Sequence, residues 1–307
     1  MDVLTQQLIN GLVLGSVYAL VALGYTLVYG ILELINFAHG EVTMSGAMIG
    51  LATIAGLSGL GLPAAALLLA GLLAAVAGCV LLGLAIERIC YRPLRRAPRL
   101  SVLITAIGVS IVLQNAVMLL TSRQYLAFPP LLPQTRYEVL GASVSFTQLL
   151  ILLLSAALMA GLVLLVRGTR LGRAMRATAQ APDIARLMGV NTHGVIAATF
   201  AIGSGLAAVA GVMVGAYYGQ AHYGMGFLLG LKAFSAAVLG GIGNLTGAML
   251  GGLLLGVIEA LGAGYIGPLT GGVLGSHYQD IFAFLVLIAV LVLRPSGLLG
   301  QHTTERA

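Results

Sequence analysis

The chain has 307 residues, of which 59% are hydrophobic and only 8% charged, and its net charge is +6. A soluble domain is usually about 25% charged, so this composition excludes a water-soluble globular protein and predicts a polytopic bundle of membrane helices. The basic residues gather in short stretches between apolar runs, the distribution of the positive-inside rule. No soluble domain is left to carry a basic face, which excludes nucleic acid as a partner. Glycine is abundant, at 43 residues, and tryptophan is absent, which suits close helix packing in lipid.

Hydropathy divides the chain into nine apolar runs, most of them near the length that crosses about 30 Å of hydrocarbon. The first spans 8–30. It has no basic residue before it, so it is read as a retained helix and not a cleaved signal. A polar junction over 31–41 carries Glu33, Asn36, His39 and Glu41. These residues either line a polar cavity or pin an unwound helix, or else form a polar interfacial turn whose groups cap helix ends. The second run, 42–56, is short. The third, 62–86, leads into a basic stretch over 87–99 with Arg88, Arg92, Arg95, Arg96 and Arg99. A fourth run, 102–120, precedes a polar, proline-bearing loop over 121–145, and a fifth spans 146–166.

The stretch 167–194 is the most polar of the chain, with five arginines against the single acid Asp183. Leu171, Ala174 and Met175 are spaced to share one side of a helix, while Arg170, Arg173 and Arg176 take much of the rest. Pro182 interrupts. A second short helix is predicted to begin near Asp183 and stop at Gly189. Ile184, Leu187 and Met188 on that helix need a groove, in this chain or on a partner. The bland alternative, a solvated positive-inside loop, does not require the order helix, proline, helix, glycine.

The remaining runs span 195–218, 227–241, 245–263 and 281–293. Lys232 lies inside one of them, either paired with a carboxylate or snorkelling to the headgroups. Glu259 is expected at the outer end of its helix as a wetted interfacial carboxylate, and Tyr217, Tyr218 and His222 as an outer aromatic belt. The glycines around 203–205 and 240–243 are read as packing surfaces rather than hinges. Placing both arginine-rich stretches in the cytoplasm gives nine crossings, with the N-terminus and the loop 121–145 outside and the C-terminus inside. Eight crossings follow if the short second or seventh run is re-entrant. Ser45–Gly50 echoes Thr246–Gly251, but both copies point the same way, unlike an inverted repeat.

No enzyme motif is present. The single lysine lacks a phosphate-loop context, no His-Glu-x-x-His or Gly-x-Ser-x-Gly occurs, and Cys79 and Cys90 fit neither a metal site nor a disulfide. No catalytic residue, cofactor or metal is expected.

The segment Gly172-Arg-Ala-Met-Arg-Ala-Thr-Ala-Gln-Ala-Pro-Asp-Ile-Ala-Arg-Leu-Met-Gly-Val190 resembles the coupling loop of branched-chain amino acid ABC importer permeases. So do 11–30 with Ile35-Asn-Phe-Ala-His-Gly-Glu41, Gly240-Gly-Ile-Gly-Asn-Leu-Thr-Gly-Ala-Met249, and the ending Leu293-Arg-Pro-Ser-Gly-Leu-Leu-Gly300. The likeness covers nearly the whole chain and fits the shorter, LivH-type permease best. It implies one transmembrane domain over 1–307, an α-helical bundle of the vitamin B12 permease-like kind, in a bacterial inner membrane. The implied partners are membrane lipid, a second homologous permease, two cytoplasmic ATP-binding subunits and a periplasmic binding protein delivering leucine, isoleucine or valine.

The resemblance also implies that Arg173, Arg176, Pro182, Asp183, Ile184, Leu187, Met188 and Gly189 couple to the ATPase. Asn36, His39, Glu41 and Lys232 are the candidate pathway residues. Where the usual loop has Asn-Pro, this chain has Ala181-Pro182, which removes one helix cap. A sister importer of urea, short amides or polar amino acids is the nearest alternative. A transporter or channel working alone is another, against which the sequence shows no paired acid–base chain at mid-membrane.

Overall fold

Each of the nine apolar runs is a helix in the computed structural model, which describes residues 2–95, 97–139, 141–271 and 278–300. The long helices are α1 (Asp2–Leu32), α2 (His39–Leu57), α3 (Ala64–Ile86), α5 (Arg99–Leu120), α6 (Phe146–Gly168), α9 (Thr192–Tyr218), α10 (Met225–Gly240), α11 (Leu245–Leu269) and α12 (Gln279–Leu293). Three short helices lie at one end of the bundle: α4 (Arg92–Leu94), α7 (Arg170–Gln180) and α8 (Pro182–Leu187). A π-helical segment, Glu87–Tyr91, joins α3 to α4. Seven of the long helices, all but α10 and α12, are long and apolar enough to cross a membrane. Arg96, Arg306 and the loop residues 272–277 lie outside the described residues.

The core is built on the α1–α11 seam, the most extensive helix pair of the bundle. Gly11 and Gly15 on α1 face Gly252 and Gly256 on α11. A Cβ on Gly256 would stand 2.2 Å from the Gly15 nitrogen. Two small-x-x-x-small stripes thus bring the backbones into contact, the packing mode that replaces the hydrophobic effect between helices in lipid. α9 lies against both α1 and α2, and α10 is wedged between α1, α2 and α11.

Contacts between loops show which helix ends lie together. Arg95 on one arginine-rich stretch meets His193 at the end of the other, with Arg95 Nη1 2.6 Å from His193 Nδ1. Glu33, after α1, pairs with Arg99 at 2.9 Å. At the opposite end, Gln6 at the start of α1 exchanges hydrogen bonds with the backbone of Ser143. The two arginine-rich stretches thus share one end of the bundle with the end of α1, and the start of α1 lies with the loop 121–145 at the other. That opposite end is not the plain polar loop expected. β2 (Arg136–Val139) and β3 (Ala142–Ser145) form an antiparallel hairpin, and β1 (Leu126–Ala127) pairs with β4 (Gln220–Ala221). With β-pairs of two and four residues, little periodicity was available to read.

The C-terminal stretch 294–300 has a structural task that its sequence did not reveal. The N–H groups of Leu298 and Leu299 donate to the carbonyls of Leu239 and Gly240, and Asn244 Nδ2 donates to the Leu299 carbonyl. α10 stops at Gly240 because Gly241 adopts φ 103°. The terminal carbonyls left without helical partners are met by this strap.

Candidate coupling surface and pathway

α7 is held against the bundle. Thr169 caps it by accepting from the Gly172 N–H at 3.1 Å, and Met175 and Thr178 are buried. Arg173 and Arg176 point away from that face, and Arg176 donates to the Val166 carbonyl at the end of α6. α8 then stands clear of the bundle. It begins with Pro182 at its first position, and Ala181 supplies no side-chain cap. It ends in a Schellman arrangement: the Val190 N–H bonds to the Ala185 carbonyl and the Gly189 N–H to that of Arg186, with Gly189 at φ 85°. Only Ala185 faces inward. Ile184, Leu187 and Met188 are 63%, 86% and 80% exposed. Among the described residues, no groove receives these side chains. Asp183 and Arg186 are exposed and 4.0 Å apart, a separation and setting of little energetic weight.

From α8 the chain passes through Asn191, which caps α9 by accepting from the Gly194 N–H at 3.0 Å. His193 contacts Arg95, and Arg95 is salt-bridged to the buried Glu87 on the π-helical segment. Four residues along that segment, buried Tyr91 donates to the Asn36 side chain at 2.9 Å and leans on Phe200 of α9. Asn36 in turn accepts from the Ala38 N–H at 3.2 Å and, through its carbonyl, from the His39 N–H at 3.0 Å. A continuous set of contacts thus runs from the exposed helix to the start of α2. Single-turn π segments are frequent where a helix has a functional irregularity.

That start of α2 lies deep in the bundle. Glu33 takes φ 52° and turns the chain back along α1. α2 begins with His39 packed on Gly24, where a Cβ would fall 2.1 Å from His39 Nε2. Gly24 is eight residues before Leu32, about 12 Å from the end of α1 at 1.5 Å per residue. The second apolar run is short because a non-helical segment, 34–38, closed by a turn at Phe37 and Ala38, makes up the rest of its path. Glu41, buried two residues further on, accepts from Ser110 of α5 at 3.3 Å.

Two cavities flank this break. One, about 820 Å³, opens at the arginine-rich end and is lined by Tyr29, Glu33, Arg167, Arg176 and Asn244 among others. The other, about 300 Å³, lies toward the hairpin end and is lined by Tyr18, Val214, Leu228, Leu229 and Lys232, with Tyr125 and His222 at its rim. Tyr25, Phe37, His39 and Phe234 form an aromatic partition that, along α1 and α10, lies between Tyr18 and Lys232 of the second cavity and Tyr29 and Val238 of the first. Its centroid separations are 4.9 Å for Tyr25–His39, 6.0 Å for Tyr25–Phe234 and 5.8 Å for Phe37–Phe234.

The family described as the permease component of branched-chain amino acid transport systems matches residues 7–291. The chain belongs to this family. The permease is 49% identical over 309 residues to the high-affinity branched-chain amino acid transport system permease protein BraD of Pseudomonas aeruginosa, covering 98% of this chain and 97% of that protein. It is 45% identical over 306 residues to the corresponding protein LivH of Escherichia coli K12, with the same coverage. It is 26% identical over 305 residues to a probable LivH of Methanocaldococcus jannaschii, covering 95% and 91%. No solved structure matches the chain.

Within the permease, Asn36, His39 and Glu41 sit together at the α1–α2 break, whereas Lys232 belongs to a separate cluster. The expectation that Glu259 is a wetted interfacial carboxylate is overturned, because it is 2% exposed. Its Oε1 is 2.7 Å from Lys232 Nζ, and its Oε2 accepts from Tyr18 at 3.0 Å. Asp280 of α12 lies 2.8 Å from the same Nζ. Lys232 therefore pairs rather than snorkels. The sequence could not show this, because Lys232, Glu259 and Asp280 come from three different helices and no local spacing joins them. Tyr125 stacked on His222 at 4.3 Å fits the aromatic end expected for that side. Cys79 and Cys90 are free thiols, and Cys79 donates to the Val42 carbonyl at 3.3 Å.

Proposed function

We propose that the permease carries leucine, isoleucine and valine inward as the membrane subunit of an ATP-driven importer. Family membership over nearly the full length supports the substrate class. The single observation that carries the ATP-driven reading is α8, whose apolar Ile184, Leu187 and Met188 are left uncovered beside the exposed Arg173 and Arg176. An apolar helix face in water beside a membrane is suited to a protein groove, the helix-in-groove mode of recognition. The groove belongs to a cytoplasmic ATP-binding subunit, with Pro182, Asp183 and Gly189 setting the limits of the docked helix. Two such subunits, a second homologous permease and a periplasmic binding protein complete the assembly. The arginine-rich end is cytoplasmic, so the N-terminus and the hairpin end face the periplasm and the vitamin B12 permease-like arrangement is retained.

In this reading the two cavities are the outer and inner halves of an occluded pathway. The aromatic partition is the closed gate. Asn36, His39 and Glu41 form the hinge beneath it, and Lys232 stands at the outer side. ATP supplies the free energy elsewhere, so the permease need only favour different states on docking and release. Movement of α8 reaches the partition through His193, Arg95, Glu87, Tyr91 and Asn36. The test is ATP-dependent uptake into proteoliposomes holding the permease and its partners, with branched-chain amino acids compared with urea and acetamide. Uptake of leucine, isoleucine and valine is expected. Uptake of urea or acetamide instead would assign the permease to a sister importer.

A further inference from the structure

Away from the two cavities beside the α1–α2 break, α3 and α6 each lie against α9 and leave a groove of about 660 Å³ between them. Leu68 and Leu72, Leu150 and Leu154, and Val212 and Met213 form its walls and floor. Thr147 is the single polar residue among those that line it. Such a surface gives water too few polar partners to hold it. At its mouth the groove runs into a second hollow of about 340 Å³, and Leu68, Leu131, Leu132, Pro133, Thr147 and Ala216 line both. The second hollow is polar, bordered by Gln134, Arg136 and Tyr218. Arg136 is exposed, and among the described residues its guanidinium has no ion-pair partner, Glu138 on the same strand included.

The depth of the groove selects among occupants. On α3 its lining runs from Ala64 to Leu72, and on α6 from Phe146 to Leu154. Eight residues of helix rise about 12 Å, close to one leaflet of a hydrocarbon core about 30 Å thick. Both stretches are the hairpin-end turns of their helices, so the apolar part lies in the membrane and the polar mouth at its surface. A transmembrane helix of a partner needs a seam along the whole thickness, and this groove stops about half-way. We propose that the groove holds an acyl chain of an anionic phospholipid from the hairpin-side leaflet, with the lipid phosphate at Arg136. The proposal needs only that the chain lies in a membrane, and it is independent of what the permease carries.

Groove and mouth have separate tasks. The apolar groove accepts the chain of any phospholipid, while the mouth chooses the headgroup. A guanidinium is a planar fork of N–H donors that matches two oxygens of a phosphate. The Gln134 amide and the Tyr218 hydroxyl border the same space as neutral donors, and tyrosine prefers this depth of a membrane. A zwitterionic headgroup brings its own cation beside Arg136, so its net attraction is small. An anionic headgroup brings none. One basic residue at the membrane surface favours an anionic lipid by about fivefold.

The chain has no tryptophan, so Leu69→Trp, at the exposed edge of the groove, introduces a sole reporter there. Leu285→Trp, exposed at a similar depth on α12, reports on lipid outside the groove. Each full-length variant is reconstituted in vesicles of chain-brominated phosphatidylcholine, which quenches tryptophan on contact, with a rising fraction of unbrominated phosphatidylglycerol. Relief of quenching in Leu69→Trp should show phosphatidylglycerol preferred about threefold to fivefold, against no preference in Leu285→Trp. Adding Arg136→Gln to Leu69→Trp should abolish the preference. Adding Thr147→Phe, which fills the junction of groove and mouth without touching the charge, should abolish it too. No preference in Leu69→Trp, an equal preference in Leu285→Trp, or one that survives either added substitution would overturn the lipid site. Quenching of Leu285→Trp but not of Leu69→Trp would show the groove covered by a second copy of the chain, and would overturn it as well.

Discussion

The Tyr91 hydroxyl donates to the Asn36 side chain at 2.9 Å, joining the π-helical segment after α3 to the break between α1 and α2. Both residues are buried. The bond is the last lateral link between the helices of the arginine-rich end and the segment that leads to the aromatic partition. Tyr91→Phe removes the donor and keeps the ring on Phe200. A net hydrogen bond of this kind contributes about 1 kcal/mol, so the subunit should fold with only a small loss of stability. The expected effect is on coupling: leucine transported per ATP hydrolysed falls several-fold in reconstituted complex. An unchanged ratio would remove Tyr91 from the transmission route.

The α1–α11 seam makes a prediction about folding alone. Gly256→Val places side-chain atoms where a Cβ already meets the Gly15 nitrogen at 2.2 Å. Backbone cannot yield there as a flexible side chain could, so the loss should reach about 3 kcal/mol or more. Gly59→Ala is the control, since nothing lies within 4 Å of its Cβ position. Thermal denaturation in detergent should show a large fall for the first variant and no measurable change for the second.

α7 and α8 should respond differently to the same substitution. Met175 is buried against the bundle, while Met188 is 80% exposed. Met175→Asp buries an unpaired carboxylate, which lowers stability by several kcal/mol. Met188→Asp touches no internal contact and should leave the melting temperature of the isolated subunit unchanged. Equal destabilisation by both would mean that α8 is packed on its own subunit in the membrane.

The Glu87–Arg95 bridge gives a further prediction. Glu87 is buried and Arg95 is largely covered. Removing one partner of a buried ion pair costs about 3–5 kcal/mol because the other charge is left uncompensated. Arg95→Met should therefore destabilise the permease in a melting assay far more than Arg99→Met, whose partner Glu33 is 69% exposed and whose pair is worth about 0–1 kcal/mol. Similar losses for the two would show that Glu87 is solvated in the lipid-embedded protein.

Much of this architecture was legible in the sequence because a membrane imposes one strong rule on length and polarity. The nine long helices followed from apolar runs, and α8 (Pro182–Leu187) followed from its punctuation by Pro182 and Gly189. What could not be read was lateral. Lys232, Glu259 and Asp280 meet across three helices, and Tyr91 reaches Asn36 across 55 positions. The strap over 294–300 was visible only as a family motif, because its purpose is to satisfy carbonyls of a helix far back in the chain. For the junction 31–41, composition left both a polar cavity and a capped helix break open, and it could not show that Asn36 and His39 are buried because the chain doubles back along α1.

The central claim is that α8 is the point at which ATP hydrolysis is connected to amino acid movement. It is tested most directly by the double variant Leu187→Asp/Met188→Asp in proteoliposomes containing all partners, with leucine uptake and ATPase-subunit retention measured together. The account predicts a correctly folded permease that loses the ATP-binding subunits and at least about 90% of ATP-driven uptake, as expected when a few central apolar anchors carry a docking interface. Full retention of both the ATP-binding subunits and leucine uptake would contradict it.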